Sequence, residues 1–182
     1  MIERTGDIWL AKEEAILIPI NLGVKADGKL IMGAGLAKQA SDKYPGLALE
    51  WGKIQARDKD AESILHTKNF GKTLIGYPTK PWVHGPSQGV MRIVSGQLTD
   101  PKAYHQGWQC PYGPYTSWCK VGILRLILSN LESLAHLLRV LKIESVALPR
   151  LGCGLAGLDW ERDVKPWLVD TLDDRFVVYH KA

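Results

Sequence analysis

The amino-acid sequence predicts an α/β domain in which helices cover a largely parallel or mixed sheet. Short apolar runs alternate along the chain with longer segments of helical apolar spacing, which is the order typical of layered α/β folds. Two of the apolar runs lead into a glycine-rich loop and then into a predicted helix. A chain of 182 residues suits one domain of ordinary size, and it is long enough to bury a core without disulfides or metals.

Four apolar runs have the length and composition of buried strands. They are residues 15–22, 73–77, 145–148 and 176–179. Pro19 lies near the end of the first run. We expect Pro78 to end the second run, because proline has no N–H to donate to a sheet.

Four segments have the spacing or flanking residues of helices. They are residues 33–44, residues 47–56, a segment from Ile123 onward, and a segment from Asp159 to about Leu172. Pro45-Gly46 ends the first of them. The third places seven aliphatic residues on one helical face, namely Leu124, Ile127, Leu128, Leu131, Leu134, Leu138 and Leu141.

The composition is that of a mildly basic cytoplasmic protein. The net charge of +4, from 23 basic and 19 acidic residues, is compatible with an anionic ligand or with nucleic acid but predicts neither. No apolar run approaches the roughly 20 residues of a membrane span, and the N-terminus lacks the layout of a secretory signal. Three cysteines fit a reducing compartment.

Residues 81–119 form a long irregular insertion with five prolines, five glycines and no sustained period. Connections of this length are usually functional or mobile. The insertion contains eight residues with aromatic rings, namely Trp82, His84, Tyr104, His105, Trp108, Tyr112, Tyr115 and Trp118. These rings either stack on a nucleic-acid base or on the adenine of a ligand, or they form a small local core, and we favour the core. His105, Cys110 and Cys119 do not have metal-ligand spacing, so no metal is predicted.

The two glycine-rich loops have the chemistry of a phosphate site. The first is Met32-Gly33-Ala34-Gly35-Leu36-Ala37 and the second spans residues 150–158. Backbone N–H groups at a loop-to-helix junction bind phosphate oxygens, and loops at the strand ends of an α/β sheet face a common ligand. The alternative for either loop alone is a tight turn. Neither is a Walker A or a G-x-G-x-x-G motif, so the residues themselves indicate only a phosphate-bearing ligand, a nucleotide being favoured.

These same segments, with Pro149-Arg150-Leu151-Gly152-Cys153-Gly154-Leu155 as the second motif, resemble the two ligand loops of macrodomains. The branch they resemble holds the terminal ADP-ribose glycohydrolases and the antitoxin macrodomains of the DarT/DarG system. The resemblance covers residues 1–80 and 121–182. It implies a three-layer α/β/α macrodomain with a mixed central sheet spanning 1–182, interrupted by the insertion at about 81–119, and ADP-ribose as the ligand.

The resemblance also implies ligand-binding residues. Asp7, followed by Ile8, would accept a hydrogen bond from the adenine amino group, although Gly-Asp also often caps a turn. Asn21 would face the distal ribose, or it is a satisfied amide at a strand end. The residues expected to line the distal ribose are Gly33, Ala34 and Gly35, with Leu36 beside them. Those expected to hold the diphosphate through backbone N–H groups are Gly152, Cys153, Gly154, Leu155 and Ala156, so that Cys153 is not a nucleophile.

Lys80 matches the position of a catalytic lysine in the glycohydrolase branch. It would either stabilise charge at the anomeric carbon or attack an opened sugar as a neutral amine, which requires a lowered pKa; the alternative is a solvated lysine past a strand end. Some relatives have an aspartate where this chain has Ala156. Asp159 is a possible substitute, but we expect it to be the N-cap of the last helix.

The function that the resemblance implies is an ADP-ribosyl glycohydrolase that removes ADP-ribose from a modified nucleic acid, DNA or RNA, or from a protein. The alternatives are a non-catalytic ADP-ribose-binding module and a phosphatase that acts on ADP-ribose-1″-phosphate. No metal or redox cofactor is implied. The expected partner is ADP-ribose or its modified target, with no membrane, and the protein is expected to be a monomer.

Overall fold

The computed structural model describes residues 1–57, 64–68, 71–80, 84–85, 89–90, 93–94, 97–98, 123–154 and 157–181. For Lys80, Ile123 and the short strands between 84 and 98 it describes the backbone alone. The aromatic residues of the insertion and its cysteines, Cys110 and Cys119, therefore lie outside the residues whose side chains are described.

A mixed six-stranded sheet forms the centre of the molecule. Its strand order is β1-β10-β9-β2-β4-β3, in which β3 alone is antiparallel to its neighbour. The strands of the sheet are β1 (Ile2–Thr5), β2 (Ala15–Asn21), β3 (Leu65–Thr67), β4 (Thr73–Lys80), β9 (Val146–Pro149) and β10 (Phe176–His180). Two small hairpins join β5 (His84–Gly85) to β6 (Gly89–Val90) and β7 (Ile93–Val94) to β8 (Gln97–Leu98).

Helices cover both faces of this sheet. They are α1 (Gly35–Lys43), α2 (Leu47–Arg57), α3 (Ile123–Ser129), α4 (Leu131–Leu141) and α5 (Lys165–Leu168), with a 3-10 helix at Ile8–Leu10 and a π-helix at Trp160–Val164. One apolar cluster joins α1 and α2 to the face of β2 that carries Ile16, Ile18 and Ile20. The other joins α3, α4, the π-helix and α5 to the opposite face. The predicted three-layer α/β/α architecture is confirmed.

The aliphatic face predicted from Ile123 onward is confirmed, but it belongs to two helices. All seven of its residues lie in or against the second apolar cluster. The break falls at Asn130, which is 5% exposed and donates from Nδ2 to the carbonyl of Leu126 at 3.0 Å. The apolar spacing continues through the break because Asn130 keeps right-handed helical backbone angles.

Two predicted element ends were wrong. The strand expected to stop at Pro78 continues to Lys80, so Lys80 is the last residue of β4 and does not follow it. Proline is tolerated there because β3 pairs with β4 only as far as Gly76, which leaves one side of the strand without a described partner. The helix expected from Asp159 to about Leu172 is a π-helix followed directly by α5, which ends at Leu168. Asp159 is the N-cap of the π-helix, with Oδ1 accepting from the N–H of Arg162 at 2.8 Å, so the expected capping role is confirmed.

The absence of a side chain at Gly52 lets α2 contact the loop after β2. A Cβ atom at this position would lie 2.1 Å from the carbonyl oxygen of Gly28 and 2.6 Å from the nitrogen of Leu30. The N–H of Leu30 also donates to the carbonyl of Ala48 in α2 at 2.7 Å. The loop that leads from β2 to the first glycine motif is therefore fixed against the helix.

We predict that Gly52→Ala destabilises the fold even though alanine favours helices. The new methyl group must displace the backbone at Gly28 and Leu30, and overpacking of this kind costs roughly 1–3 kcal/mol. Urea denaturation would measure the free energy of unfolding. Lys53→Ala, at the exposed next position, is the control and should change it by less than about 0.5 kcal/mol; an increase in stability for Gly52→Ala would contradict the assigned contact.

Candidate functional site

The carboxyl ends of the five parallel strands meet at one edge of the sheet. Asp7 follows β1, Asn21 ends β2, Lys80 ends β4, and the second glycine-rich loop follows β9. This is the edge at which open α/β sheets bind their ligands. The fold therefore brings the starting points of all the predicted site segments to one side of the molecule.

A crevice is expected where β2 and β9 lie side by side. The two strands are parallel, with Ala15 opposite Val146 and Ile16 opposite Ala147. After β2 the chain enters α1 on one face of the sheet, and after β9 it enters the π-helix on the other. Loops that leave neighbouring strands for opposite faces diverge, which opens a binding crevice at such a switch point.

The loop after β2 is held by several backbone hydrogen bonds. Asn21 Oδ1 accepts from the N–H of Gly23 at 2.8 Å, and the N–H of Ile31 donates to the carbonyl of Gly23 at 2.7 Å. Val24 and Leu30 form an isolated antiparallel bridge. The amide oxygen of Asn21 is thus used within the loop, whereas its Nδ2 donates to none of the described residues.

The first glycine motif presents an open surface at the start of α1. Gly33, Ala34 and Gly35 are exposed, and a Cβ atom at Gly33 or Gly35 would meet no heavy atom within 4 Å. Gly35 has φ +57°, a conformation that favours glycine. Ala34 is the N-cap and makes no side-chain cap hydrogen bond, so the first-turn N–H groups of α1 lack the partner that a polar cap would supply.

The second glycine-rich loop is a compact turn. Gly152 has φ +71°, and its carbonyl accepts from the N–H of Leu158 at 3.1 Å. The N–H of Gly157 donates to the carbonyl of Gly154 at 3.0 Å, and the N–H of Cys153 donates to the carbonyl of Arg150 at 3.3 Å. The amide of Cys153 therefore already has an acceptor within the loop. Leu155 and Ala156 lie outside the described residues.

The side chain of Cys153 is half-buried, and its environment suppresses ionisation. Burial raises the pKa of the Cys153 thiol to about 11, against a smaller opposing effect of the Arg150 charge. The Sγ atom donates to the carbonyl of Leu151 at 3.2 Å. A thiol in this state is a poor nucleophile at neutral pH.

Asp7 caps the 3-10 helix that follows β1. Its Oδ1 accepts from the N–H of Trp9 at 3.0 Å, its side chain is exposed, and the next residue, Ile8, is buried. The turn-capping role that the sequence left open is therefore present. A carboxylate has a second oxygen, so capping does not exhaust its capacity to accept hydrogen bonds.

Lys80 lies next to Asn21 across the sheet. In the parallel pairing of β2 with β4, the Cα partner of Asn21 is Lys80. Neighbouring strands are about 4.8 Å apart, so the backbone at Lys80 borders the loop after β2 from the side opposite β9. The side chain of Lys80 lies outside the described residues.

A charged cluster beside the second loop was not predicted. Glu3 Oε2 accepts from Arg150 at 3.1 Å and from Trp160 Nε1 at 3.2 Å, and Glu3 Oε1 lies 2.6 Å from Lys165 Nζ. The hydrogen bond from Lys165 is the largest of the contacts that hold the pKa of Glu3 below its usual range. Glu3 is separated from Arg150 by 147 positions, and no local pattern in a single sequence indicates such a pair.

Three further features of the described structure were compared with the predicted site. No group of three or more potential metal ligands occurs among the described residues, and none of the described helices is long and apolar enough to cross a membrane. An open groove of about 550 Å³ lies between Ile64 and the α3–α4 region, where Ser129, Ser133 and His136 line it. It contains none of the residues predicted to bind ligand.

Comparison with known proteins shows that the chain is similar to macrodomains. No family model matches the sequence. It is 28% identical over 171 residues to a DNA ADP-ribosyl glycohydrolase of Mycobacterium tuberculosis, covering 91% of this chain and 36% of that protein. The chain thus spans about a third of the length of this curated relative.

Solved structures agree with this relationship. The macrodomain of Mycobacterium tuberculosis DarG superposes with a TM-score of 0.62 at 25% identity, covering 100% of this chain and 97% of that one. Thermosipho africanus DarTG in complex with ADP-ribose superposes with a TM-score of 0.56 at 17% identity, covering 98% of this chain and 41% of that one. The strand order, the two glycine-rich loops and these similarities lead to one conclusion: the chain has the macrodomain fold.

Proposed function

We propose that this macrodomain hydrolyses the glycosidic bond between ADP-ribose and DNA. The observation that carries the proposal is the register that sets Lys80 beside Asn21, at the sheet edge where both glycine-rich loops begin. The similarity to a DNA ADP-ribosyl glycohydrolase over 91% of the chain supports DNA as the carrier of the modification. In this proposal the domain spans residues 1–182, and it is a cytoplasmic monomer.

The ligand would lie along the crevice between β2 and β9. Gly152, Cys153, Gly154, Leu155 and Ala156 would hold the diphosphate, and Gly33, Ala34, Gly35 and Leu36 would line the distal ribose. The exposed surface at Gly33 and Gly35 leaves room for a sugar. Asp7 and Ile8 would bind adenine from the end of β1, two strands away from β9.

Lys80 would act at the anomeric carbon of the distal ribose. As an ammonium group it would stabilise the negative charge that develops on the departing DNA base; as a neutral amine it would attack the opened sugar. Neither route uses a carboxylate at position 156, where the chain has alanine. Asp159 is engaged as a helix cap, which supports the view that it does not replace the missing acid.

A binding module without chemistry is the main alternative, because Ala156 removes the acid that some relatives carry. A phosphatase acting on ADP-ribose-1″-phosphate is the second. The products separate the three functions: the glycohydrolase releases ADP-ribose from DNA, the phosphatase releases inorganic phosphate, and the binding module releases neither.

We predict that Lys80→Ala keeps ADP-ribose affinity but slows release of ADP-ribose from a modified DNA oligonucleotide by roughly 10²–10⁴-fold, the usual contribution of a positioned acid or base. Calorimetry would measure binding, and chromatography would measure ADP-ribose release. Lys68→Ala is the control, because Lys68 is exposed and follows β3 at the opposite edge of the sheet.

Three results would contradict the proposed activity. Binding without release by the unmodified protein would favour the binding module. Release of inorganic phosphate from ADP-ribose-1″-phosphate would favour the phosphatase. Failure to bind ADP-ribose would remove the ligand assignment altogether.

We predict that Asp7→Asn lowers the preference for adenine over hypoxanthine without unfolding the 3-10 helix that Asp7 caps. Asparagine caps helices about as well as aspartate, but it loses the charged acceptor that would face the adenine amino group. Hydrogen bonds to charged groups contribute about 1.5–3 kcal/mol, so wild type should prefer ADP-ribose to its hypoxanthine analogue by roughly 10–100-fold. Calorimetry with both ligands tests this, and an equal loss of affinity for both would contradict adenine recognition by Asp7.

We predict that the Cys153 thiol is alkylated slowly at pH 8 and faster as the pH rises towards its pKa of about 11. With Cys110 and Cys119 replaced by serine, Cys153 is the sole cysteine of the chain. Because the thiolate is the reactive form, its rate with iodoacetamide should be roughly 100-fold below that of an ordinary free thiol. A rate equal to that of glutathione would contradict the prediction, because it would show that burial does not suppress ionisation of the Cys153 thiol.

A further inference from the structure

One carboxylate, that of Glu3, joins the two ends of the second glycine-rich loop. Arg150 is the first residue of the loop and Trp160 follows its end, and both donate to the same oxygen of Glu3, Oε2, at 3.1 and 3.2 Å. The guanidinium of Arg150 also lies over the Trp160 ring, 5.8 Å from its centroid. The spacing between the loop ends therefore depends on a residue of a different strand.

The sheet register explains how Glu3 reaches this loop. Glu3 is opposite Val178 of β10, and Val178 is opposite Leu148 of β9. The side chains of residues in one row of a parallel sheet point to the same face, so those of Glu3, Val178 and Leu148 share a face. Arg150 lies two positions after Leu148, and because side chains alternate along an extended chain, its side chain is on that face as well. Glu3 and Arg150 thus flank Val178 on the face that packs against the π-helix.

The contacts of Glu3 are sheltered enough to constrain the loop. The side chains of Glu3, Arg150 and Lys165 are 24%, 34% and 33% exposed, and Trp160 is 4% exposed. Glu3 is the shared acceptor of two cations and an indole, whereas an isolated exposed ion pair contributes little. Glu161, the other acid paired with these cations, is 63% exposed; it lies 2.9 Å from Lys165 Nζ and 4.0 Å from Arg150 Nη2.

We propose that Glu3 is a positioning residue for diphosphate binding, acting through Arg150 and Trp160 on the backbone of residues 151–154 and 157–159. This inference rests on the proposed function, which assigns the loop to the diphosphate. A loop that binds through N–H groups requires those groups to be held at fixed separations before the ligand arrives. Glu3 supplies that constraint without itself contacting the ligand.

The test measures ADP-ribose binding to wild type, Glu3→Gln and Glu3→Asp by calorimetry, which reports the dissociation constant and the number of sites separately. We expect Glu3→Gln to raise the dissociation constant roughly 3–30-fold, the range of coupling between contacting residues, with the number of sites unchanged. Glu3→Asp keeps the charge but is one methylene shorter, so it should give a smaller increase. A loss of folded protein would instead lower the number of sites and leave the dissociation constant as in wild type.

Two further variants separate positioning from general electrostatics. Glu161→Gln removes an acid of the same cluster but leaves the Glu3 contacts with Arg150 and Trp160 intact, so its affinity should equal that of wild type. In an Arg150→Lys background, which lacks the guanidinium fork, Glu3→Gln should have a smaller effect than in wild type.

Three results overturn the inference. Wild-type affinity in both Glu3 variants, or an equal loss in Glu161→Gln, overturns it while leaving the proposed function intact. A Glu3→Gln effect of the same size in the Arg150→Lys background also overturns it. Absence of ADP-ribose binding by wild type overturns the inference and the proposed function together.

Discussion

The divergence of the chain after β2 and β9 is the constraint on which the site depends. These adjacent parallel strands end at the same edge, but α1 packs on one face of the sheet and the π-helix packs on the other. The two glycine-rich loops therefore leave the sheet towards opposite faces. Contacts outside the glycine motifs hold each loop: Gly52 and Ala48 of α2 fix the chain that leads to the first, and Glu3 contacts Arg150 and Trp160 at the two ends of the second.

The central layers were predictable because their signals are local. Residues 15–22 are almost uniformly apolar, as expected for a strand buried on both faces, and the aliphatic face from Ile123 onward has helical spacing. Strands β1 and β3 were not predicted, because they carry no such local signal. β1 has four residues, of which Glu3 is the least exposed, and β3 has three, so neither carries an apolar pattern long enough to recognise.

The glycine-rich loops of the proposed site could be predicted from the sequence, but the contacts that support these loops could not. Glycines at 33, 35, 152 and 154 indicate close approach of a ligand to the backbone, and a single sequence shows them directly. The amide of Cys153 is already paired with Arg150, and the oxygen of Asn21 is used by Gly23. The Glu3 cluster joins residues from the two ends of the chain. Such pairings depend on sheet register, which sequence spacing does not reveal.

A crystal structure of the protein with bound ADP-ribose tests the central claim most directly. The account predicts the diphosphate against the second glycine-rich loop at residues 152–156, the distal ribose against Gly33 and Gly35, and its anomeric carbon towards residue 80. ADP-ribose bound elsewhere, for example in the groove that Ser129, Ser133 and His136 line, would contradict it. A diphosphate that lies in the crevice but contacts neither glycine-rich loop would contradict it equally.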